Sequence, residues 1–166
     1  MLIGDRGRED GARRAAGRPR ERARSIGMDE RTATALERSS RRWLAWLRRE
    51  LAGRPPGEAL PGLWDLLEAW FSSDDFHASG LAAAMAGTTG NGGDATRAVI
   101  AAHRQGLRQL LEDLAKADGA SDPAGLADQL HLLVEGAVVG ALIDRHPAVT
   151  RHARELTQIA LAGGSG

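Results

Sequence analysis

The sequence has no cysteine and no tyrosine, and its basic residues are a single lysine and 21 arginines. Without cysteine there are no disulfides and no thiolate-ligated metal centres, which suits the reducing cytoplasm where the chain is expected to reside. A metal-binding spacing is missing too. His77, His103, His131, His146 and His152 form no H-E-x-x-H or comparable ligand pattern, so neither metal nor cofactor is expected. No serine occupies a nucleophile elbow. The stretch GTTGNGG lacks the lysine and the preceding strand of a phosphate-binding loop. No apolar signal core follows Met1. The longest apolar run, 132–143, is too short to cross a bilayer and contains Glu135, so no membrane partner is expected. Alternating strand patterns and internal repeats are also lacking. His131 and Glu135, spaced i and i+4, have the residue types of an acid–base pair. A hydrogen-bonded pair inside a helix bundle is the simpler reading, and the chain is read as no enzyme.

The formal charge is zero, but it is unevenly spread. Residues 1–50 hold 14 arginines against 8 acids, a balance of +6, and residues 51–166 hold 8 basic residues against 14 acids, a balance of −6. Between Ile3 and Ile26 there is no large apolar side chain. Such a stretch buries too little to offset its ordering entropy, so residues 1–28 are expected to be disordered, with helical patches near 21–24. A run such as GRPRERAR suits weak, sequence-blind contact with phosphates. Residues 29–162 then form a helical domain, and 163–166 a flexible tail.

Hydrophobic periodicity predicts an all-α bundle of five or six helices. The first runs from Asp29 or Thr32 to Ala52, with Leu36, Trp43, Leu44, Leu47 and Leu51 on one face, and Gly53-Arg54-Pro55-Pro56-Gly57 ends it. The second, from Glu58 or Pro61 to Ser72, stripes Leu60, Leu63, Trp64, Leu67 and Phe71. A short small-residue helix follows over 77–86. From Asp94, the positions Val99, His103, Gly106, Leu107, Leu110, Leu114 and Ala117 form the next stripe, and Arg108, Glu112 and Lys116 are spaced for pairing in solvent. Gly119 marks a left-handed stop, and Asp122-Pro123 reads as a cap followed by the first helical residue. The segment LHLLVEGAVVGALI, 130–143, is apolar nearly all round, with Gly136 and Gly140 four apart. The last helix, from Pro147, stripes Val149, His152, Ala153, Leu156, Ile159 and Ala160. Three such helices carry more apolar surface than they can bury among themselves, so a second copy of the chain, a ligand, or both are expected to cover the excess.

All four tryptophans and both phenylalanines fall between Trp43 and Phe76. Two readings follow. Either they form a solid aromatic core, or they line a pocket for an apolar or planar ligand, with 87–93 as its gate. The pocket reading draws on Trp43, Leu47, Trp64, Leu67, Phe71, Phe76, Met85, His103 and Leu107, with Trp46 and Trp70 at stripe edges.

The run DDFHASGLAAAMAG, then DATRAVIAAHRQGLRQLLEDLAKADGASDPAGLADQLHLLVEGAVVGALIDRHP, then a last amphipathic helix, resembles the ligand-binding and dimerisation domain of TetR/AcrR-type transcriptional regulators over 40–162. The resemblance implies a small hydrophobic effector and a homodimer that pairs its last two helices. The paired surface would use Leu126, Leu130, Leu133, Val134, Ala137, Val138, Ala141, Val149, Leu156 and Ile159. It also implies that ligand binding is passed along the helix over 32–52 to a DNA-reading head. Residues 1–40 depart from the family here: they contain no T-x-x-x-I-A-x-x-A-G-V segment and no aromatic Y-x-x-F. The family's DNA-binding residues therefore transfer to no position. Either the chain has no reading head or one lies in frame upstream of Met1. The expected function is a TetR-like core that binds an effector and dimerises. The alternative is a dimerisation partner that titrates full-length relatives.

Overall fold

The computed structural model describes residues 6–87, 92–144 and 149–163. Among these are seven α-helices and no strand: α1 Arg6–Leu51, α2 Ala59–Phe71, α3 Asp74–Ala78, α4 Gly80–Met85, α5 Asp94–Ala117, α6 Pro123–Asp144 and α7 Val149–Gly163. The extra helix comes from the expected 77–86 segment. Ser79 is extended at φ −76° and ψ 113°, ending α3 and capping α4 by accepting from Ala82 N. Ser73 caps α3 in the same way through Phe76 N. The expected start at Pro147, the central part of the 87–93 gate and the end of the 163–166 tail lie outside the described residues.

The first helix differs most from expectation. It starts at Arg6, not near residue 29, and runs unbroken for 46 residues. Arginine, alanine and glutamate are good helix formers, which favours helix even where nothing is buried. Pro19 inside it gives up one backbone hydrogen bond. The low burial that led to the disorder expectation is still visible: Arg22 to Ile26 are all exposed, and Ile26 keeps 59% of its surface. Cover begins at Ala33 and continues through Leu36, Ser40, Trp43, Leu44, Leu47 and Leu51, a stripe at steps of three and four.

Helix α5 lies at the centre, packed against α1 on one side and α6 on the other, while α7 packs on α6 and α2. A Cβ on Gly106 would come within 2.9 Å of Leu44 Cδ1, so glycine there lets α1 and α5 approach closely. Two aspartates from distant parts of the chain cap helices that have no local side-chain cap. Asp29 accepts from Ala95 N at 3.1 Å, Thr96 N at 3.3 Å and Thr96 Oγ1 at 2.6 Å, closing the start of α5. At the other end of α5, Asp118 accepts from Gly57 N at 2.9 Å, Ala59 N at 3.2 Å and Leu60 N at 2.8 Å, closing the start of α2.

The α5–α6 break is built as expected. Gly119 has φ 79°, Ala120 N donates to Ala115 O at 2.9 Å, and Asp122 accepts from Gly125 N at 3.0 Å. The solvent pairs are only partly as expected. Lys116 reaches Glu112 at 2.7 Å, but Arg108 crosses to Asp128 on α6, at 2.5 and 3.1 Å. By length and composition Pro123–Ile143, with mean hydropathy 1.5, is long and apolar enough to cross a membrane, a wider window than 132–143 alone. A bundle's core helix meets the same criterion, and here Asp128 and Glu135 within that window are tied to arginines of α5.

Candidate functional site

The strongest concentration of unusual chemistry lies along α5, where His103 meets α1 and the adjacent Arg104 meets α6. The stripe of α1 brings Ser40 and Trp43 inward, and α5 brings His103, 2% exposed. His103 Nδ1 is hydrogen-bonded to Ser40 Oγ at 2.8 Å, and its ring centroid lies 5.5 Å from that of Trp43. Ring contacts continue outward: Trp43 to Trp70 at 5.3 Å, Trp70 to Phe76 at 4.8 Å, and Phe71 to Phe76 at 4.9 Å. On α6, His131 Nε2 stands 3.8 Å from Glu135 Oε1, while Arg104 Nε holds the same carboxylate oxygen at 2.6 Å.

Three buried nitrogens here have no hydrogen-bond partner among the described residues: Trp43 Nε1, His103 Nε2 and His131 Nε2. Leaving a buried polar group unpaired costs about 1–3 kcal/mol. Burial pushes the His103 imidazole down to about pKa 4, helped by the neighbouring His131 and Arg104. His103 is therefore neutral at pH 7. The Glu135 carboxylate is engaged by Arg104, which favours a structural role for the His131–Glu135 pair over an acid–base one.

All nine side chains of the expected pocket are buried: Trp43, Leu47, Trp64, Leu67, Phe71, Phe76, Met85, His103 and Leu107. Eight of them belong to one hydrophobic core cluster, and His103 meets that cluster through Trp43. Trp64 Nε1 donates to Thr157 Oγ1 at 2.9 Å, tethering α2 to α7, and Trp46 is half-buried at the core's edge. Two surface recesses lie elsewhere. One, of about 340 Å³, is bounded by Ala120, Ser121, Asp122, Gly125, Leu126, Gln129, Ala160 and Leu161. The other, of about 370 Å³, is bounded by Glu30, Arg31, Thr34, Ala35 and Arg38. None of the nine lines either recess.

The expected pairing surface divides in two. Leu126, Leu130, Val134, Ala137, Val138 and Ala141 are already buried inside the single chain, and Leu133 and Val149 pack against its core. Leu156 and Ile159 remain open at 51% and 66%, joined by Leu132 at 70% and Ile143 at 74%, which the sequence reading did not select. Leu132, Gly136, Val139 and Ile143 follow steps of four, three and four along one face of α6. Sequence reasoning also missed Ser40, Asp29, Asp118 and Thr157. A polar residue on an apolar stripe was the available signal for Ser40. Thr157 carried none, because the α7 stripe was read one position away. No family model, curated protein or solved structure matches the chain.

Proposed function

We propose that this chain is the effector-binding and dimerising core of a TetR-like transcriptional regulator. On this reading it binds a small, largely apolar effector, pairs with a second copy, and meets DNA only weakly and without sequence preference. The observation that carries the reading is the exposure of four large apolar side chains on the last two helices, Leu132, Ile143, Leu156 and Ile159. Fully covering each such side chain contributes roughly 1.5–3 kcal/mol, which favours a second copy. The effector half of the reading draws support from the unpaired nitrogens beside Trp43 and His103. Trp43 belongs to α1, the long helix that leads away from the body, so a ligand at this place would touch the element that transmits its presence.

A second reading, the titrating dimerisation partner, is favoured by one specific observation. Residues 6–51 form a single continuous helix, which leaves no turn for a helix-turn-helix within them. Light scattering with multi-angle detection at micromolar concentration tests what the two readings share. A dimer is expected, and a compact monomer overturns both. A panel of hydrophobic and planar aromatic compounds, read by tryptophan emission and melting temperature, then separates them. A shift supports the effector core, and silence across the panel leaves the solid aromatic core and the partner reading.

A further inference from the structure

Resting on the effector reading above, we propose that the ligand is a neutral, planar, apolar molecule with a carbonyl-type oxygen, which accepts hydrogen bonds from the indole N–H of Trp43 and the Nε2–H of His103. The first step is the placement of protons. Helical Thr32, Thr34, Ser72 and Thr157 each donate to a carbonyl four residues back. Ser40 makes no such bond, and its hydroxyl meets His103 Nδ1. The Ser40 proton therefore goes to Nδ1, which places the imidazole hydrogen on Nε2. An indole nitrogen is a donor only. Two N–H donors, on rings whose centroids are 5.5 Å apart, thus lack an acceptor among the described residues. A carbonyl oxygen has two lone pairs and matches that demand, whereas a hydrocarbon does not.

The second step is charge. His103 is neutral, and the adjacent Arg104 is occupied by Glu135 at 2.6 Å. His131, whose Nε2 is also unpaired, faces the same Glu135 carboxylate at 3.8 Å, so each group at the junction able to carry positive charge already has a carboxylate beside it, and the acceptor is uncharged. The third step is shape. Trp43, Trp70, Phe71 and Phe76 present ring faces and edges, which suit a flat apolar body. Trp70 is half-buried and bridges Trp43 and Phe76, which makes it the most solvent-exposed ring of this group.

The test uses the full chain with three matched probes: naphthalene, 2-acetylnaphthalene and 2-naphthoate. Affinity is measured by equilibrium dialysis, and the indole N–H signals are followed by nitrogen-edited NMR. The ketone is expected to bind at least tenfold tighter than either other probe and to move one indole signal. That signal is assigned by its loss in Trp43→Phe, a variant expected to bind ketone and hydrocarbon alike. Equal binding of ketone and hydrocarbon by the wild type overturns the acceptor assignment and leaves the effector reading standing. Tighter binding of the naphthoate overturns neutrality. Failure of all three probes, with every indole signal unmoved, overturns this proposal together with the effector reading. If Trp43→Phe does not fold, the wild-type indole shift and the ketone-to-hydrocarbon ratio still decide.

Discussion

A histidine held neutral in a core makes stability depend on pH, and His103 does this in a defined window. In the unfolded chain it takes up a proton near pH 6.5, whereas burial holds the folded group down to about 4. Between those values the unfolded state binds more protons, so stability falls as pH falls from about 6.5 to about 4 and is unaffected above that window. The full difference is on the order of 3 kcal/mol at about 1.4 kcal/mol per pKa unit. Urea melts at pH 7.5 and pH 5 should show the loss in the wild type, and His103→Leu should flatten this part of the profile. An unchanged slope in the variant would assign the acid sensitivity elsewhere. Asp29 acts in the opposite chemical sense with the same pH direction. The hydroxyl of Thr96, then the amides at the start of α5, hold its carboxyl below the usual 3.8. That contribution is present above the ordinary carboxylate value and is lost as pH drops through the lowered one.

Helices in this chain differ in how much of their stability is their own. Over residues 22–26 α1 is exposed and rests on intrinsic propensity, whereas from Ala33 onward it has tertiary cover, and the Asp29 cap lies between the two. Hydrogen exchange should therefore show a step along one continuous helix, fast before about residue 29 and slow over 36–51. Uniform slow exchange from residue 6 would require cover for the outer part, such as a partner in solution. Asp29→Ala is expected to move the step inward by releasing α5's first turn. In α7, both faces carry apolar residues, and Thr150, Ala153 and Thr157 form the buried one while Leu156 and Ile159 stay outside. The Trp64–Thr157 hydrogen bond fixes that choice of rotation, because only one face can present a hydroxyl to the indole. Trp64→Phe should cost roughly 2–3 kcal/mol in thermal or denaturant melts, from the lost hydrogen bond together with the cavity left by the smaller ring.

For the molecule as a whole, the distinction between covered and open faces of α6 makes the dimer testable with two substitutions of opposite outcome. Val138 is fully buried, so Val138→Asp should unfold the chain at a cost of several kcal/mol. Leu132 is 70% exposed, so Leu132→Asp should leave the monomer's stability within about 0.5 kcal/mol while converting dimer to monomer in sedimentation. A Leu132→Asp protein that remains dimeric would move the interface off this face. The charge split has its own consequence. A local balance of +6 over residues 1–50 attracts phosphate without reading bases. Anisotropy with promoter and scrambled duplexes should show weak binding at low salt and little at physiological salt. A tenfold promoter preference, about 1.4 kcal/mol, that survives physiological salt would reveal a reading head that the continuous helix conceals.

The sequence by itself determined the helical class, the Gly119 stop, the Asp122-Pro123 start and the inward faces of α2 and most of α5. Each of these is local: periodicity, capping and proline geometry act within a few residues. It also singled out Trp43 and His103, each on an apolar helical stripe, and Phe76 as part of the aromatic group between 43 and 76. Tertiary structure decided the rest. A helix that is apolar all round gives no local indication of which side meets its own chain and which meets another. Packing against α5 and α7 buried Val134 and Val138 and left Leu132 and Ile143 open. The distant caps from Asp29 and Asp118, the Ser40–His103 bond and the unpaired nitrogens beside it depend on residues about 60 positions apart. Such pairings arise only when α1, α2 and α5 dock, and docking is set by the summed burial of the whole core.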